Sequence, residues 1–294
     1  MKYFLSGGRR LSRAEGVGTR ELACSRFGRA VLGLALLLGG AQAVFAQEDA
    51  GQAMGRLGEE IAAKGERLDL VLALGNAAVG AGNFDLALAS FQKVLDNVEP
   101  DSREAGDLHL RIGETYRRKG DGEAAIAWLT RASELLPDQA VVLGTLALVL
   151  DACGEKKEAE RAYRATLELD PDNAIAMNNL AFLLAERGED LEQALGLTQR
   201  AAELMPEDPE VLDTAGWVRL KRKEPDAAIG LFADALGKAP GNEGYRQHLL
   251  LALELKADGS GAMDELKSLL GSDVSSASMG KVLELLKAVR SPNR

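Results

Sequence analysis

Aromatic residues are scarce in this chain, at 4% of 294 residues, and so are cysteine (two), histidine (two) and proline (eight). So few cysteines exclude a disulfide-built scaffold. Only Cys153 remains beyond the N-terminal segment, where it reads as a small apolar packing residue. His109 and His248 lie far apart in the chain, which speaks against a histidine metal pair. There is no GxxxxGK[ST] phosphate loop, no HExxH zinc motif and no GxSxG nucleophile elbow. The acid-rich runs GEEIAAKGE and AERGEDLE read as helix caps and solvated faces, since acids favour first turns. No residue set for catalysis, no metal cluster and no cofactor cradle emerges, so the expectation is a protein that is not an enzyme.

Runs of β-branched residues at period two are missing as well. Hydrophobic residues make up 46% of the chain, and with few aromatics these are mostly Ala and Leu, both strong helix formers. The expectation is an all-α fold. The formal net charge is −10. That excludes nucleic acid and anionic membranes as partners of the body, because phosphate contacts need a concentrated basic face.

The first 46 residues differ from the rest. They hold seven basic and two acidic side chains, a net of +5, so the remainder carries −15. After Arg26 and Arg29 comes AVLGLALLLGG, too short to span a bilayer. AQAVFA follows, with Val44 and Ala46 where a signal peptidase reads small residues. A basic region, a short apolar core and a small-residue cut make a secretory signal peptide over 1–46, cleaved after Ala46. A retained anchor is the alternative, and it would be the chain's one link to a membrane. The expected location is therefore outside the cytoplasm, in the periplasm of a bacterium.

What the rest of the chain has is self-similarity. Pro137, Pro171, Pro206 and Pro240 are spaced 34, 35 and 34 apart. Ala125, Ala159, Ala194 and Ala228 repeat those spacings, and Gly120, Gly154 and Gly188 are 34 and 34 apart. On these landmarks the region from Leu68 to about Asn242 resembles tetratricopeptide repeats, a helix-turn-helix unit of about 34 residues. The resemblance implies a right-handed α-solenoid of five units: 68–101, 106–139, 140–173, 174–208 and 209–242. A helix over 47–67 caps the first. A degenerate sixth unit occupies 243–271, its helices carried by YRQHLLLALELK and MDELKSLL. A linker and a C-terminal capping helix fill 272–294, where Met279, Val282, Leu283, Leu286 and Val289 share one helical face.

Three stations of the unit carry its geometry. A small residue is wanted where the two helices cross: Gly75, Gly113, Ala147, Ala181 and Gly216. Alanine faces that crossing from the second helix. Glycine ends the first helix, because a left-handed residue suits glycine. The fifth unit has Lys223 there, followed by Glu224 and Pro225, which predicts a strained or differently shaped turn.

The resemblance also implies a concave groove lined by the first helices. Its candidate partner residues are Arg111, Arg117 and Arg118 in the second unit and Leu148 in the third. Asn178, Asn179 and Phe182 follow in the fourth, and Thr214, Trp217 and Lys221 in the fifth. Glu186, Glu210 and Asp213 fall at groove stations too. The amides could pair with a peptide backbone, the arginines with a carboxylate, and Leu148, Phe182 and Trp217 with apolar side chains. Phe182 and Trp217 could instead pack against neighbouring helices. The lysine clamp of chaperone-tail binders is lacking. The expected function is a non-enzymatic adaptor of the cell envelope that holds a protein or peptide segment, with no nucleic-acid, cofactor or small-molecule site. The alternative is a structural subunit of an envelope assembly, such as a secretion, polysaccharide-export or pilus system, binding through its ends and convex face.

Overall fold

The computed structural model describes residues 49–256 and Leu266. The expected signal peptide and its cleavage site lie outside these residues. So do the second helix of the sixth unit, save Leu266, and the C-terminal linker and capping helix. The described residues form twelve α-helices and no strand. They are α1 (Ala50–Lys64), α2 (Leu68–Gly80), α3 (Phe84–Leu95), α4 (Arg103–Lys119), α5 (Gly122–Leu135) and α6 (Ala140–Ala152). The others are α7 (Lys156–Leu169), α8 (Ala174–Arg187), α9 (Leu191–Leu204), α10 (Pro209–Lys221), α11 (Pro225–Lys238) and α12 (Glu243–Lys256).

Short polar side chains start these helices. Asn83, Ser102, Asp121 and Asn173 each accept from the backbone amide three residues on, and Asp208 accepts from Glu210 and Val211. Each such cap is worth about 1 kcal/mol. Pro209 and Pro225 sit at first helical positions, where no amide donor is needed. Left-handed residues stop the first helices: Gly188 follows α8 at φ 68°. Lys223 adopts the same conformation at φ 65°, so the fifth turn has the shape of the others with a side chain on it. The extra residue of the Gly188-Glu189-Asp190 turn is taken up by Asp190, also left-handed at φ 43°.

The chain divides into two compact units, one ending at Ala162 and the other beginning at Tyr163. In the first, Phe91, Ile112, Ala78 and Ala87 form a buried cluster with Leu72, Tyr116 and Trp128 against it. In the second, Ile229, Phe232, Leu236, Leu249, Leu253 and Leu266 do so. Each large side chain removed from water in this way contributes about 1.5–3 kcal/mol. The crossing alanines Ala87, Ala125, Ala159, Ala194 and Ala228 are all fully buried. The tightest approach to the crossing glycine, however, is a larger residue one turn further on. A Cβ on Gly75, Gly113 or Gly216 would lie 2.7 Å from the side chain of Phe91, Leu129 or Phe232 respectively. Glycine is required because that ring or branched chain fills its space. Cys153, read in the sequence as a small apolar packing residue, is half-buried at the C-terminal end of α6.

Candidate functional site

The second compact unit, beginning at Tyr163, sets three first helices side by side: α8 and α12 both pack on α10. On α10, Glu210, Asp213, Thr214, Trp217 and Lys221 recur at spacings of three and four, which puts them on one face. Asn178, Phe182 and Glu186 do the same on α8, and Tyr245, His248 and Leu251 on α12.

Trp217 sits at the centre of this face. Its ring centroid is 4.7 Å from that of His248 at an interplanar angle of 29°, and 6.5 Å from that of Phe182 at 28°. The indole N–H donates to Glu186 Oε1 at 2.9 Å. The Lys221 ammonium lies 4.6 Å from the centroid of the indole and 3.9 Å from the same carboxylate. Phe182 and Trp217 are both half-buried. They touch one another and still present surface.

Polar side chains, most of them buried, join this layer. His248 Nδ1 is 2.9 Å from each carboxylate oxygen of Asp213, which is only 8% exposed. Asn178 is 7% exposed; its amide nitrogen reaches Asn179 Oδ1 at 3.5 Å. Asn178 Oδ1 is buried and has no hydrogen-bond partner among the described residues. Thr214 is 5% exposed and so is a floor residue here. Glu210 is exposed at the start of α10, yet partial desolvation of its carboxyl, helped by the neighbouring Asp208 and Asp213, raises its pKa. Burial and the same three carboxylates raise the Tyr245 phenol.

The first compact unit, ending at Ala162, holds the other candidates, and there the arginines are already engaged. Arg117 donates twice to Glu114, at 2.7 and 2.6 Å, so its fork is filled and that contact holds it protonated. Arg111 donates to Asn76 Oδ1 at 3.0 Å. Arg118 is exposed, with its guanidinium carbon 5.9 Å from the centroid of Phe84, the first residue of α3. Leu148 is half-buried on α6.

Of the ten candidates, the structure brings Asn178, Asn179, Phe182, Thr214, Trp217 and Lys221 onto one patch. Sequence reasoning missed His248 and Tyr245 as members of it, while it placed Glu186, Glu210 and Asp213 at groove stations without choosing them as partner contacts. A signal was present: His248 follows Asp213 by 35 residues, one repeat period. Among the described residues no group of three or more His, Cys, Asp or Glu side chains is placed to hold a metal ion. None of the described helices is long and apolar enough to cross a membrane.

Comparison with known proteins adds sequence and fold relationships. Over 135 residues the chain is 34% identical to the type IV pilus assembly protein PilF of Pseudomonas aeruginosa, a match covering 45% of this chain and 53% of that protein. The chain thus spans about half the length of that relative. A tetratricopeptide repeat protein from Parabacteroides merdae shares the fold with a TM-score of 0.59, at 15% identity over 76% of this chain and 86% of that one. YrrB, a tetratricopeptide protein with an unusual peptide-binding site, does so with a TM-score of 0.53, at 18% identity over 66% of this chain and 98% of its own. Family models of the tetratricopeptide repeat match residues 72–140, 140–173 and 162–196. With paired helices in phase and those matches across its middle, residues 72–196 of the chain are tetratricopeptide repeats.

Proposed function

We propose that this protein is a non-enzymatic adaptor of the cell envelope that holds a segment of a partner protein on the first-helix face of its second compact unit. The observation that carries this reading is the patch. Half-buried Phe182 and Trp217 share a face with buried polar side chains that include a carbonyl oxygen, Asn178 Oδ1, with no hydrogen-bond partner among the described residues. A peptide supplies both things such a patch lacks: backbone N–H groups for the amide oxygen and side chains for the rings. A tetratricopeptide fold carries a peptide-binding site in YrrB, which supports the reading at the level of fold. The likeness to a type IV pilus assembly protein supports an envelope setting, as does the signal-like N-terminus.

That likeness also favours a second reading, a structural part of a pilus or similar assembly that binds through its ends and outer face. One experiment separates the two. A photo-crosslinking residue is placed at Asn179 on α8 or at exposed Gln199 on α9, and adducts are identified from cells. The adaptor reading expects a discrete adduct from position 179 and little from 199. Adducts from 199 alone would favour the assembly reading and count against the first.

A further inference from the structure

We infer that the segment held on the second compact unit is cationic, with an arginine or lysine seated between Glu210, Asp213 and the Asn178 amide and an apolar residue beside it on Phe182 and Trp217. This rests on the adaptor reading and names the partner's chemistry. Glu210 and Asp213 are one turn apart on α10, and Asn178 occupies on α8 the station that Asp213 holds one repeat later. Asp213 is bonded by His248, and Glu210 has no ion-pair partner among the described residues. Desolvation, with the neighbouring charges of Asp208 and Asp213, makes Glu210 harder to ionise, so a cation placed there relieves repulsion as well as making its own bonds.

Asn178 points to a ligand independently of the acids. A buried amide oxygen without a donor costs about 1–3 kcal/mol, and an incoming N–H removes that cost. A guanidinium suits the place best, since its planar fork can give two bonds to one carboxylate and a third to a neighbouring oxygen. The ring above is already a surface on which a cation rests, as Lys221 over Trp217 demonstrates. Leu251, at 37% exposure, extends the apolar line from Trp217 on the α12 side. The charge of the whole chain agrees: beyond the first 46 residues it carries −15, which draws cationic segments and repels acidic ones.

The test pans a phage-displayed library of random dodecapeptides on the full-length protein, with Glu210→Gln and Trp217→Ala variants in parallel. Circular dichroism first establishes that both variants are folded. Peptides retained by the wild type are expected to hold at least twice the library's share of arginine and lysine. Synthetic copies should bind Glu210→Gln about tenfold more weakly, the loss of one charge-assisted contact. Peptides selected by Glu210→Gln should keep the apolar preference and lose the basic one. Neutral or acidic peptides that depend on Trp217 would overturn the cationic assignment and leave the adaptor reading standing. If no selected peptide depends on Trp217, both fall.

Discussion

His248 and Asp213, 35 residues apart, meet with Nδ1 at 2.9 Å from both carboxylate oxygens, and the same imidazole stacks on Trp217. One contact therefore joins α10 to α12 and also fixes the ring that the partner would touch. Removing the carboxylate leaves a half-buried imidazole without its partner. Asp213→Ala is expected to lower stability by about 1–3 kcal/mol. In a four-member urea-unfolding cycle with His248→Ala, the coupling should be about 1 kcal/mol. A coupling near zero would mean the pair contributes nothing.

The crossing glycines give opposite predictions from helix-interior glycines elsewhere. Gly216→Ala would push a Cβ to 2.7 Å from the Phe232 ring. The expected loss is about 1–3 kcal/mol in spite of alanine's better helix propensity. Gly196 on α9 has nothing within 4 Å of the added methyl. Gly196→Ala should therefore raise stability by roughly 0.5–1 kcal/mol. Denaturant midpoints of the two variants check both signs.

Lys223 holds a left-handed conformation in the turn where Gly188 serves the preceding unit. A non-glycine residue there costs about 1–2 kcal/mol, partly offset by glycine's larger loss of chain freedom on folding. Lys223→Gly should raise stability by about 0.5–1 kcal/mol, read from the thermal midpoint.

Glu210 has its carboxyl raised in the folded state by partial desolvation and by Asp208 and Asp213. A raised acid favours the folded form that keeps its proton. The cost to stability is thus present at pH values above the folded pKa and vanishes below the unfolded value, near 4.5. Glu210→Gln should then raise the melting temperature at pH 7 and leave it unchanged at pH 4. A rise of equal size at both pH values would place the cause elsewhere than in charge.

The period of the fold was legible because its landmarks are geometric necessities. Gly188 must turn left-handed, Ala194 and Ala228 must let helices cross, and such needs recur at fixed spacing. The patch was legible in part. Asn178, Asn179, Phe182 and Trp217 sit at stations known to face the first-helix side, so periodicity reaches them. What periodicity cannot express is pairing. Arg117 looks like a free cation in sequence, yet Glu114 three residues earlier fills its fork. His248 looks like a stray histidine, yet it completes Asp213. Lys223 looks like a broken turn because sequence shows the missing glycine and not the backbone that adopts the glycine conformation anyway.

The central claim is that the first-helix face of the second compact unit holds the partner, and co-purification from envelope extract tests it most directly. The comparison is between wild type, a Phe182→Ala/Trp217→Ala variant and a Gly196→Ala/Gln199→Ala variant on exposed positions of α9, each shown to be folded. The account predicts that one or a few proteins recovered with the wild type and the α9 variant are lost from the Phe182/Trp217 variant. Recovery of the same proteins in the same yield from the folded Phe182/Trp217 variant would contradict it.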